Sequence, residues 1–125
     1  MSALVIISIA LSLIANTSLV TSAPTSPFDE YGAIKWNEEM ARLDNFVIQL
    51  QNYEKSIGFI VTVDADGGCP GEAKARAIRA KRYVVEYRGI PWNRVGWRVD
   101  GHYGDVRTTL LIVPPGHQCR THSTD

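Results

Sequence analysis

The sequence predicts an α+β fold, a two-layer sandwich with both helices on one face of a mixed sheet, in the order β-α-β-α-β-β. Two segments repeat apolar side chains at helical spacing. They are Met40, Leu43, Val47 and Leu50 with Phe46 beside them, and Ala73, Ala77, Ala80, Val84 and Tyr87. Short β-branched or alternating runs bounded by turn residues lie around them, at 58–63, 94–99 and 107–113. Two helical patterns interleaved with strands in a chain of 125 residues leave room for one domain.

In chain order, residues 1–20 contain no charged side chain and are rich in Leu, Ile, Val and Ala. That is the apolar core of a secretory leader, which predicts a signal peptide over 1–22 cut after Ser22. An apolar segment of this length is also compatible with an uncleaved N-terminal anchor. Either alternative places the domain outside the cytoplasm. Residues 23–27 read as a Pro/Ser/Thr linker, 28–115 as the domain and 116–125 as a polar tail.

A brief strand is expected within 28–34. The first helix is expected over about 37–52, with Asn37 as N-cap and Glu38 and Glu39 at the positive end of its dipole. The run Gly58–Val63 is too short for a helix and reads as a buried strand. A loop over 64–71 leads to a second helix, Glu72–Arg88, stopped by Gly89 and Pro91. The last two strands, separated by a Gly-containing turn, read as an antiparallel hairpin ended by Pro114 and Pro115.

Thirteen basic and thirteen acidic side chains cancel, so the chain as a whole offers no electrostatic case for nucleic acid. Acids dominate the first half, and Lys74, Arg76, Arg79, Lys81, Arg82 and Arg88 cluster on the second helix, as solvated faces of opposite sign do. An exported chain can carry a disulfide, and Cys69 and Cys119 are its two cysteines. A bridge closing roughly fifty residues stabilises by about 4 kcal/mol on the chain-entropy account; a pair of free thiols is the alternative. His117, Cys119 and His122 sit in a polar tail and do not make a convincing metal site, so no metal or cofactor is expected. Asp100-Gly101-His102 is explained by turn chemistry, and no nucleophile stands beside a base, so no catalytic residue is assigned.

Specific words at specific places extend this reading. Phe28-Asp29-Glu30-Tyr31, Leu43-Asp44, Thr62-Val63-Asp64-Ala65-Asp66, Arg76-Ala77, Tyr83-Val84-Val85, Arg88-Gly89-Ile90-Pro91 and Asn93-Arg94-Val95 stand in the order of a strand, helix, loop, helix and strand. In this the chain resembles the OmpA-like C-terminal domain, the peptidoglycan-associating module of the bacterial envelope. The resemblance implies a periplasmic domain that binds the diaminopimelate of peptidoglycan stems without covalent chemistry. By position, Asp66 would face the ligand's ammonium and Arg76 its carboxylate, which a planar guanidinium grips with two hydrogen bonds. The loop before Arg76 is shorter than the family's and contains Cys69. That leaves a second expectation: a disulfide-stapled periplasmic protein-interaction domain that has lost peptidoglycan binding, using Arg79, Lys81, Arg82 and Trp92 or Trp97 as contacts.

Overall fold

A computed structural model describes residues 26–102 and 104–115. The leader, most of the linker, the tail and Cys119 lie outside the described residues, and with them the cleavage site and the Cys69–Cys119 pairing. Strand β1 (Asp29–Tyr31) leads to helix α1 (Trp36–Asn52), strand β2 (Ile57–Asp64) and helix α2 (Glu72–Arg82). A π turn (Tyr83–Tyr87) extends α2, a 3-10 turn (Trp92–Arg94) follows, and strands β3 (Val95–His102) and β4 (Arg107–Val113) complete the domain. The architecture is α+β, with a four-stranded mixed sheet in the order β1-β4-β2-β3. No helix among the described residues is long and apolar enough to cross a membrane.

Strand β2 is parallel to β3 and antiparallel to β4, and β1 adds antiparallel to β4. A parallel pair needs a crossover on one face of the sheet, and α2 supplies it between β2 and β3. The expected β3–β4 hairpin is therefore corrected, because β2 lies between the two strands. Its run Gly-Phe-Ile-Val-Thr-Val is almost wholly apolar and takes a central position, where both edges are paired. The connection from β3 to β4 must step over about 10 Å, two inter-strand spacings, across the end of β2. Gly104 meets the β2–α2 loop there: the Asp66 N–H donates to Gly104 O at 3.0 Å, and the Gly104 N–H donates to Asp66 Oδ2 at 3.1 Å.

The strand period of two sends Gly58, Ile60, Thr62 and Asp64 toward the helices. A Cβ at Gly58 would stand 2.6 Å from Phe46 Cζ, so this glycine is what lets α1 lie close on the sheet. Phe46, Leu43, Leu50, Ile60, Val84 and Leu110 are fully buried between the layers. Ala73, Ala77 and Ala80 are likewise at 0% exposure, as the helical stripe predicts, and their small side chains let α2 settle against β2 and β3.

Two local expectations are corrected. Helix α1 starts one residue early, at Trp36, with Lys35 at the N-cap and no side-chain cap, because Trp36 turns inward onto the core. The segment after Arg82 continues as a π turn closed by the Arg88 N–H on Tyr83 O at 3.2 Å. A π turn spends an extra residue per revolution, which rotates the following side chains off the α stripe. Tyr87, expected inside, is 71% exposed, and Tyr83 occupies the core at 7%. Gly89 ends the segment as expected, at φ 78, with its N–H on Val85 O.

Candidate functional site

The start of α2 is held by side chains from β2. Gly71 stands at the N-cap in a left-handed conformation and offers no side chain, so the first amides of the helix need acceptors from elsewhere. Asp64 supplies one: its Oδ1 accepts the Ala73 N–H at 2.6 Å, and the Thr62 hydroxyl donates to Ala73 O at 2.8 Å. Both side chains are buried. With the helix fixed in rotation, the row beside the alanine stripe presents Glu72, Ala75, Arg76 and Arg79 along one flank.

That flank forms one wall of a cleft of about 400 Å³. The cleft is also lined by Gly32, Ala33 and Ile34 of the connection from β1 to α1, by Val106 and Thr108, and by the buried residues Tyr31 and Glu39. Two guanidinium groups and two carboxylates therefore line one opening.

Each charged group has a defined anchor. Arg76 Nη2 donates to Val63 O at 2.8 Å, and its Nε is buried with no hydrogen-bond partner. Arg79 Nη2 donates to Glu39 Oε2 at 2.6 Å while its guanidinium lies 4.4 Å from the centre of the Trp36 ring. Glu39 is a buried carboxylate, 3% exposed, and its other oxygen accepts the Tyr31 hydroxyl at 3.0 Å. Burial, and then the neighbouring Glu39 charge, push the Tyr31 hydroxyl well above the usual phenol range, so it stays a donor.

Arg76, to which the resemblance assigns a ligand carboxylate, lines this cleft. Asp66 does not line it: the side chain is exposed and holds Gly104. Cys69 is exposed in the same loop. The sequence reading makes Glu39 a first-turn acid at the positive end of α1 and does not place it in the cleft. The signal was available, since Glu39 stands four residues before Leu43 on the inward stripe of α1, where a charge requires a partner.

A second polar cluster ties α1 to the π turn. Asp44 accepts the Tyr83 hydroxyl at 2.7 Å and a two-pronged contact from Arg88, at 2.7 and 3.1 Å. The Arg88 hydrogen bond, against a smaller opposing effect of burial, holds the Asp44 carboxyl below its usual range. Desolvation, and then the bond to Asp44, raise the Tyr83 hydroxyl. On the other side of α2, Trp92 is 73% exposed beside Ile78, Arg82 and Trp97. Among the described residues no group of three or more His, Cys, Asp and Glu side chains is placed to hold a metal ion.

No protein-family model matches the chain, and no curated protein is found to be significantly similar to it.

Proposed function

We propose that the protein is an OmpA-like envelope domain that binds peptidoglycan non-covalently, taking the diaminopimelate of a peptide stem into the cleft beside α2. The observation that carries this reading is the position of Arg76: the residue that the sequence pairs with a ligand carboxylate lines a polar cleft and is held there by Val63 O. The order of strands and helices, with both helices on one face of the sheet, is consistent with the same family.

In this reading Arg76 receives the carboxylate, and the hydrogen bond from Nη2 to Val63 fixes the direction of its planar fork before the ligand arrives. The unpartnered Nε carries a desolvation cost in the free protein, which a small shift of the side chain toward a bound carboxylate would relieve. Glu72, one turn before Arg76, is the carboxylate on the cleft that suits the ammonium. Asp66, the residue the resemblance names for that role, acts here by holding Gly104 and so keeping the β2–α2 loop folded back. The apolar leader would deliver the domain across the inner membrane, and the reaction is binding alone, with no bond made or broken.

Co-sedimentation with purified sacculi tests the proposal. Wild-type protein is expected in the pellet, and Arg76→Ala in the supernatant with an unchanged circular-dichroism spectrum. Equal recovery of the two forms would defeat it.

One observation favours a second reading, an envelope protein-interaction domain: Trp92 presents most of its ring to solvent close to Arg82, and Trp and Arg are the common anchors of interfaces. A specific partner that is lost with Trp92→Ala and kept with Arg76→Ala would support it.

A further inference from the structure

We propose that the cleft reads two carboxylates and one ammonium together, and so selects peptide stems that end at diaminopimelate over stems that continue beyond it. This rests on the peptidoglycan reading and deepens it by naming which stem is bound.

Arg79 stands beside Arg76 on the cleft. Arg76 and Arg79 are three residues apart on α2, so their Cβ atoms are about 5–6 Å from each other on one flank of the helix. Both guanidinium groups line the same cleft. Arg79 is held from two sides, by the Glu39 carboxylate at 2.6 Å and by the Trp36 ring at 4.4 Å, while about half of its side chain remains open to solvent. Glu39 has both oxygens occupied, one by Arg79 and one by Tyr31, and it is buried, so it serves as the support for Arg79. Glu72 is the remaining acid of the cleft, exposed, and its side chain makes no hydrogen bond among the described residues.

What faces a ligand is therefore two guanidinium cations, each with part of its fork already engaged by Val63 O or Glu39, and one carboxylate. Their chemical complement is an amino acid with two carboxylates separated by a few methylene groups and a free ammonium beside one of them. Diaminopimelate at the end of a tripeptide stem has this form: the carboxylate and ammonium of its D-centre are free, and the carboxylate of its L-centre is free because no residue follows. When a further residue is attached, the L-centre carboxylate becomes an amide and one of the two charges for the paired guanidinium groups is gone. Cross-linking through the D-centre amine removes the ammonium instead.

The test is calorimetric titration of the purified protein with three synthetic probes: L-Ala-γ-D-Glu-meso-diaminopimelate, the same tripeptide amidated on the L-centre carboxylate, and the tripeptide with L-Lys in place of diaminopimelate. The first is expected to bind at least tenfold more tightly than either of the others, since each lacks one charge-assisted contact. Arg79→Gln is expected to bring the affinity for the tripeptide down to that for the amidated probe, removing the preference between them. Because Arg79→Gln leaves the buried Glu39 without its cation, the double variant Glu39→Gln/Arg79→Gln is measured beside it and is expected to behave alike. If the first two probes bind equally in wild type, with Arg76→Ala losing both, the selectivity is refuted and stem binding stands. If none of the probes binds to folded wild-type protein, the binding reading and the selectivity fall together.

Discussion

The carboxylate of Asp64, at the last position of β2, accepts the backbone N–H of Ala73 at 2.6 Å and is the cap that the N-terminus of α2 lacks in its own sequence. A strand residue thus sets the rotation and depth of the helix that carries Arg76 and Arg79. Replacing Asp64 by Ala leaves a buried amide without an acceptor, and the expected loss is about 1–3 kcal/mol. Urea unfolding should show a lower midpoint with an unchanged slope, and Asp64→Asn should lose less because its amide oxygen still accepts.

The close approach of α1 to the sheet depends on Gly58. Adding a methyl group there brings a carbon within 2.6 Å of the Phe46 ring, and Phe46 is fully buried. Gly58→Ala is expected to destabilise by about 1–3 kcal/mol through overpacking. Gly58→Ala in a Phe46→Leu background should cost less than in wild type, and the pair of unfolding curves checks this.

Glu39 and Arg79 should prove strongly coupled. Arg79→Ala strands a buried carboxylate, a change of several kcal/mol for a fully buried pair, reduced here to about 2 kcal/mol because Arg79 is half exposed and water screens it. Glu39→Gln in the Arg79→Ala background is expected to restore most of the loss, and a double-mutant cycle measures the coupling.

Acid should weaken the link between α1 and the π turn. The Asp44 carboxyl lies below its ordinary value of 3.8 in the folded protein because Arg88 donates to it. A depressed folded pKa contributes stability that is complete above the unfolded value and is lost as pH falls through the folded one. The contribution therefore begins to decline as pH falls below about 3.8 and is gone only beneath the lower folded value. Asp44→Asn should flatten the stability profile in that window and leave its shape above pH 5 unchanged, as unfolding curves collected from pH 2 to pH 7 will show.

The sequence and the structure agree where side-chain period decides the answer. The stripe of Ala73, Ala77 and Ala80 and the β-branched run of β2 each bury the face that their period marks. They part where an element depends on a distant contact. Tyr87 follows the α period in the sequence, yet one residue inserted into the helical ladder at Tyr83 turns it to solvent, and no local propensity announces a π turn. The separation of β3 from β4 was equally hidden, because a short Gly-rich connection serves a hairpin and a step across β2 alike. At the site, Arg76 was legible from its place on α2. For Glu39 the inward stripe of α1 marks a charge that needs a partner, but not which one: Arg79, forty residues away in the chain, and Tyr31.

The most direct measurement of the central claim is an NMR titration of uniformly 15N-labelled protein with free meso-diaminopimelate. Binding in the cleft predicts saturable amide shifts confined to Gly32, Ala33, Ile34, Glu72, Ala75 and Arg76, abolished by Arg76→Ala. Shifts that centre instead on Trp92 and Trp97, or a spectrum that does not change at millimolar ligand, would contradict it.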